Sequence, residues 1–146
     1  MDARAFNPDS VAARLGRITE VVDRLDQLGP LGADDLATEW RTQLVVERLV
    51  LVAAEAVVEV NTHIGSALLG HPGTEYRASF DAAARTGAIS DELAAAMTTL
   101  AGLRNVLAHQ YADVDLVALL AAGVEQLRAD LPRYVAEVSR FLLDRE

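Results

Sequence analysis

Apolar residues recur at helical spacing almost from the start of this chain. Val11, Leu15, Ile18, Val22 and Leu25 follow at intervals of four, three, four and three, one stripe of an amphipathic helix. Pro8–Asp9–Ser10 precedes the stripe as a start signal, with Ser10 as N-cap. Gly29–Pro30 ends it. A second helix is predicted from Asp34 or Asp35 to about Leu69, with Trp40 near its start as a packing or interface residue. Its middle, residues 44–60, is apolar almost all round, which predicts a central helix buried on two sides. Gly70–His71–Pro72–Gly73 reads as a loop with His71 exposed in it. Glu75–Thr86 reads as a third, short helix closed by Gly87.

Ser90 is expected to cap a fourth helix, with Asp91 and Glu92 favouring the positive end of its dipole. That helix should run through Leu100 to about His109. The last extends from near Asp115 to near Leu143. Pro132 cannot donate an N–H and crowds Leu131, so a kink or break is expected there. No strand-like alternation, internal repeat or low-complexity stretch interrupts this pattern. It predicts an all-α antiparallel bundle of about five helices in a single domain, 1–146.

Composition narrows the class. The chain has 146 residues, 51% of them hydrophobic, too apolar for disorder. There is no Cys, hence no disulfide framework, thiolate nucleophile or thiolate zinc site. The longest apolar run is Leu116–Val124, too short to span a bilayer, and the first ten residues lack a secretory core. A cytoplasmic protein is expected. The formal charge is −9, and all 13 basic residues are Arg. This argues against a general nucleic-acid-coating surface but leaves room for a local site. Between Glu92 and Asp113 no acidic residue occurs, while Arg104 and His109 lie in that window.

The segment RNVLAHQY, Arg104–Tyr111, concentrates the candidate chemistry. Arg presents a planar fork of donors for a phosphate, and His exchanges a proton near neutral pH. Together they suit RNA cleavage in which the substrate's own 2′-OH attacks phosphorus. At about 100° per residue, Arg104 and His109 lie about 140° apart on a continuous helix, while Arg104 and Tyr111 nearly eclipse. Convergence on one phosphate then needs the helix to end near His109, or a second subunit. A structural reading stands beside this one, in which Arg and His satisfy carbonyls and the dipole at a helix end.

A second feature is a polar stripe of Arg48, Glu55, Glu59 and His63 on the long apolar helix. Such charges are costly unless paired, solvated or functional. A solvated edge, an internal ion-pair row and a site for Mn²⁺ or Zn²⁺ all fit the spacing. No second Glu-x-x-His completes a di-metal bundle site. There is no Gly-rich phosphate loop, His-Glu-x-x-His or Gly-x-Ser-x-Gly.

Arg-x4-His-x-Tyr at 104–111 resembles the signature of the HepT-like ribonuclease toxins of the HEPN (higher eukaryotes and prokaryotes nucleotide-binding) superfamily. The likeness extends over about 45–143. VVERLVLVAAEAVVEVNTHI (45–64) resembles the family's central helix, EYRASFDAAARTGAISDEL (75–93) its Tyr-Arg…Phe…Gly-x-Ile segment, and AGLRNVLAHQYADVD (101–115) its motif region. The resemblance implies a mostly antiparallel homodimeric bundle whose two motifs face a shared cleft. It implies a metal-independent, cofactor-free endoribonuclease leaving a 2′,3′-cyclic phosphate and a 5′-OH. Arg104 would neutralise the scissile phosphate, His109 would be the acid–base group, Asn105 would orient one of them, and Tyr111 would line the cleft. It further implies an MntA-type minimal nucleotidyltransferase antitoxin that uses ATP to attach AMP to Tyr111. Glu55, Glu59 and His63 would support the cleft, although the family usually has Asp where Glu59 stands.

Three readings follow: a ribonuclease toxin silenced by its partner, a non-catalytic HEPN-type module binding a nucleotide or nucleotidyltransferase, and a plain dimeric scaffold. The intact Arg104/His109 pair favours the first.

Overall fold

The first helix begins at an Asn. In the computed structural model, which describes residues 5–71, 76–109 and 115–145, the Asn7 side chain accepts the Ser10 N–H at 3.1 Å. Asn7 is therefore the N-cap of α1 (Pro8–Leu28), and Ser10, expected in that role, lies inside the first turn. Pro8 fits at the first helical position because its missing N–H would have had no intrahelical partner. The predicted stripe is buried at Val11, Leu15, Ile18 and Leu25, with Val21 fully buried and Val22 only partly so. Gly29 closes the helix at positive φ, a conformation that favours glycine.

Among the described residues seven helical elements occur and no strand. After α1 come α2 (Ala33–Thr38), α3 (Trp40–Leu69), α4 (Tyr76–Thr86), α5 (Asp91–Ala96), α6 (Thr98–His109) and α7 (Leu116–Asp144). The all-α class is as expected, but the number of elements exceeds five because two predicted helices are each divided. The helix expected from Asp34 to Leu69 breaks at Glu39, whose φ of −114° and ψ of 82° are not helical. The bend lets α2 lean on α7 and bury Leu36 completely, which a straight continuation of α3 would not do. The helix expected from Ser90 to His109 breaks at Met97. There the Thr98 hydroxyl donates back to the Ala95 carbonyl at 2.7 Å, a local bond that competes with the helical ladder, while Met97 itself is fully buried.

Pro132 causes no break: α7 runs through it. A proline inside a helix costs about 3 kcal/mol. Here Pro132 is on the exposed side, while Leu131 and Tyr134 are fully buried around it, and that packing holds the helix together. Other expected punctuation is present. Ser90 accepts the Leu93 N–H as N-cap of α5, Asp115 accepts the Ala118 N–H as N-cap of α7, and Gly87 has positive φ after α4. Glu75 lies outside the described residues. His71 is exposed.

Helix α3, about 45 Å long at about 1.5 Å per residue, is the axis of the bundle and packs against every other helix but α5. The Asn7–His63 and Arg14–Glu59 contacts set α1 antiparallel to it. Arg128 on α7 donates to the Leu25 and Gly29 carbonyls, and Phe141 meets Phe6 edge-on, so α7 is also antiparallel to α1. One polar chain crosses the core. The buried Tyr134 hydroxyl donates to Asn61 Oδ1, Asn61 Nδ2 donates to Ser79 Oγ at 3.3 Å, and Ser79 Oγ donates to the Tyr76 carbonyl at 2.8 Å. It pins α3, α4 and α7 in one register. Burial, with a smaller contribution from Tyr76, pushes the Tyr134 hydroxyl well above the usual phenol range.

Helices α6 and α7 approach closely at Gly123. A Cβ there would lie 2.5 Å from Leu103 Cδ1, and Leu103 is buried. Gly123→Ala should therefore destabilise the fold by about 1–3 kcal/mol. Urea unfolding should show a lower midpoint at unchanged slope; an unchanged midpoint would mean that Leu103 repacks freely.

Candidate functional site

The site is built on α6. Leu103 and Leu107 point into the core, which at helical spacing turns Arg104 and Asn105 to the margin, where both are half-buried. His109 is the last residue of α6 and is exposed. Whether α6 stops near His109, as convergence within one chain would need, turns on residues 110–114, which lie outside the described residues. Within one chain, however, Arg104 and His109 remain about 140° apart around the helix. Tyr111 lies outside the described residues.

Arg104 is held by a ring. Its guanidinium sits 5.5 Å from the centroid of Tyr76, the first residue of α4. The Tyr76 hydroxyl donates to the Ala54 carbonyl of α3, fixing the ring between two helices. Burial pushes this phenol far above its ordinary range; Arg104 opposes the shift and Glu55 adds to it. Glu55, exposed on α3, therefore shares the electrostatic neighbourhood of Tyr76 and Arg104. Among the described residues Arg104 forms no salt bridge. A guanidinium laid on an aromatic face is stabilised as a cation while its N–H edge remains directed away from the ring and able to bind an oxyanion.

The polar stripe divides. Glu59 pairs with Arg14 of α1, both side chains about two-fifths exposed. His63 accepts the Asn7 N–H at Nε2, 2.9 Å away, and stacks on Phe6 with centroids 5.7 Å apart. Residues that share one face of α3 thus meet different partners: Glu59 the first half of α1, and His63 the Phe6–Asn7 segment before it. A hollow of about 300 Å³ lined by Arg14, Arg17, Glu55 and Glu59 lies between α1 and α3. Among the described residues no group of three His, Asp or Glu side chains is placed to hold a metal ion. Nor is any helix among them long and apolar enough to cross a membrane.

Tyr76 is the site residue that sequence reasoning passed over. The Tyr-Arg pair at 76–77 was visible as part of a resemblance, but its contact with Arg104 joins separate helices. Another surface borders the site. Trp40, Leu44 and Val45 on α3 are large apolar side chains exposed at 61%, 54% and 47%. At about 100° per residue, Trp40, Leu44, Arg48 and Glu55 fall within about 80° of one another, so the face that is apolar at Trp40 and Leu44 becomes charged at Arg48 and Glu55.

Comparison with known proteins gives the chain a family and its fold a counterpart. Residues 18–138 match the family described as Ribonuclease HepT-like. The chain is 30% identical to the tRNA nuclease HepT of Aphanizomenon flos-aquae (strain 2012/KM1/D3), over 97% of this chain and 95% of that protein. It also shares its fold with two solved structures at 19% identity. One, a toxin–antitoxin with AMP-PNP, superposes with a TM-score of 0.75 over 89% of this chain and 98% of the other. The second is a tri-AMPylated HEPN toxin of Shewanella oneidensis in complex with MNT antitoxin, with a TM-score of 0.79 over 90% and 98%.

Proposed function

Because this chain belongs to the HepT-like ribonuclease family, we propose that it is the toxin of a toxin–antitoxin pair, a metal-independent endoribonuclease that works through Arg104 and His109. The observation that carries this reading is the placement of Arg104: a cation seated on the Tyr76 ring, without a carboxylate partner among the described residues, on the helix that also carries His109.

The chemistry needs no group beyond these side chains and the substrate. His109 takes the proton from the RNA 2′-OH, and the 2′-oxygen bonds to the adjacent phosphorus. Arg104 neutralises the charge that builds on the non-bridging oxygens. The bond from phosphorus to the 5′-oxygen breaks, and that oxygen takes a proton from an imidazolium. The products are a 2′,3′-cyclic phosphate and a 5′-OH. Asn105, about 40° from His109 around α6, orients His109 or the phosphate.

A homodimer removes the geometric difficulty of the single chain, since two copies bring two Arg104/His109 pairs to one cleft. One His109 then takes the proton while the other gives one. The exposed patch of Trp40, Leu44 and Val45 supplies an apolar surface for that contact. RNA would enter against the chain's own acidity, −9 per copy. This favours selective cleavage at a locally positive cleft over broad degradation.

The partner in this reading is an MntA-type nucleotidyltransferase that moves AMP from ATP to the Tyr111 hydroxyl, releasing pyrophosphate. Adenylate phosphates next to Arg104 would fill the anion site and oppose its cation. The tri-AMPylated HEPN toxin found in complex with MNT antitoxin supports AMP transfer as the partner's act; the choice of Tyr111 rests on the resemblance of its motif. The purified chain should cut RNA in EDTA, leaving cyclic-phosphate ends, and should stop doing so after treatment with the partner and ATP. Intact mass should show added AMP on the wild type and none on Tyr111→Phe. Cleavage that requires a metal would refute the mechanism, and AMP on Tyr111→Phe would refute the modification site.

A further inference from the structure

We infer that Tyr76 is the positioning residue for Arg104: its ring face fixes the direction of the guanidinium and so sets the strength of the phosphate site. The inference rests on the ribonuclease reading of Arg104. Three contacts carry it. The Tyr76 hydroxyl is tied to the Ala54 carbonyl on α3. Its backbone carbonyl accepts from Ser79, which is joined through Asn61 to the buried Tyr134. Its ring carries the Arg104 guanidinium at 5.5 Å. The ring is thus held at both ends by groups that cannot move without disturbing the core.

An arginine on an exposed margin samples many rotamers, and ordering it on phosphate binding costs entropy. A fixed aromatic face removes part of that cost beforehand, because the cation prefers the ring's negative face. A carboxylate in the same place would also order Arg104, but it would occupy the N–H edge that the phosphate needs. The ring orders the cation without consuming that edge.

The test uses the full chain and a probe RNA with deoxyribose at the scissile position, which binds without being cut. Affinity for the probe and single-turnover cleavage of normal RNA are measured for wild type, Tyr76→Leu, Tyr76→Phe, Arg104→Ala and the Tyr76→Leu/Arg104→Ala double variant. Tyr76→Leu should weaken both properties by about tenfold, and Tyr76→Phe, which keeps the ring, should recover most of the loss. In the Arg104→Ala background, Tyr76→Leu should weaken probe binding no further. An equal loss in both backgrounds, or no loss from Tyr76→Leu in the wild type, would overturn the inference.

Should Tyr76→Leu fail to fold, replacement of Tyr76 by phenylalanine and by a ring-fluorinated phenylalanine keeps the shape and changes only the charge on the face. The fluorinated form should bind the probe more weakly, and equal binding would overturn the inference. Arg104→Ala that binds and cleaves as the wild type does would instead refute the ribonuclease reading. Arg104→Ala impaired with every Tyr76 variant normal would refute the positioning role alone.

Discussion

His109→Ala should lower the single-turnover rate of RNA cleavage by about 10²- to 10⁴-fold, the contribution of a positioned general acid–base group. The loss should come with little change in stability. His109 is exposed in the last turn of α6, so its removal takes away no core packing, and a basic side chain in that turn is worth about 0.3–1 kcal/mol. The variant should therefore unfold near the wild-type midpoint while its cleavage rate collapses. In cells, growth should be normal where the wild type arrests it. A variant that still cleaves within threefold of the wild type would remove His109 from the mechanism, whatever its position on the helix.

Arg104→Ala should reduce the same rate by about 10²- to 10³-fold, as expected when a donor to the developing oxyanion is removed. The effect should fall on both binding and catalysis, because Arg104 contacts the phosphate before the reaction and more strongly during it. Arg104→Lys separates charge from shape. It keeps a cation but loses the planar fork and stacks less well on Tyr76, so it should recover only part of the loss. Full activity in Arg104→Lys would mean that a point charge suffices and that bidentate geometry has no part. A salt titration offers an internal control. Loss of one phosphate contact should lower the steepness with which binding weakens as salt rises, by roughly 0.7 in the log–log slope for single-stranded RNA.

Much of this was readable before any coordinates, and the misses have physical causes. The stripe of α1, the Ser90 and Asp115 caps and the Gly87 turn are local signals, settled by residues a few positions apart. The breaks at Glu39 and Met97 are not local. They answer to Leu36, which reaches α7, and to the burial of Met97 between its neighbours, and no period in the sequence encodes either. Pro132 shows the reverse case: the break it could make is absent, because Leu131 and Tyr134 hold the helix in the core.

The site was legible to the same degree. Arg104, Asn105 and His109 announced themselves by chemistry and order. Periodicity placed Glu55, Glu59 and His63 on one face of α3, and they are on one face, yet Glu59 pairs with Arg14 of α1, His63 with the Asn7 cap before it, and Glu55 lines the hollow beside them. Tyr76 stayed hidden because an aromatic at the start of a short helix ordinarily reads as core. So did the chain Tyr134–Asn61–Ser79, whose members sit on three helices that only the fold brings together.

The central claim is that this chain cuts RNA through His109. Its most direct test is the end chemistry of RNA from cells expressing either the wild type or His109→Ala without the partner. The account predicts growth arrest and new 2′,3′-cyclic-phosphate ends in the wild type alone. Absence of new ends in both, with each protein folded and dimeric, would contradict it and leave a binding module on the same fold.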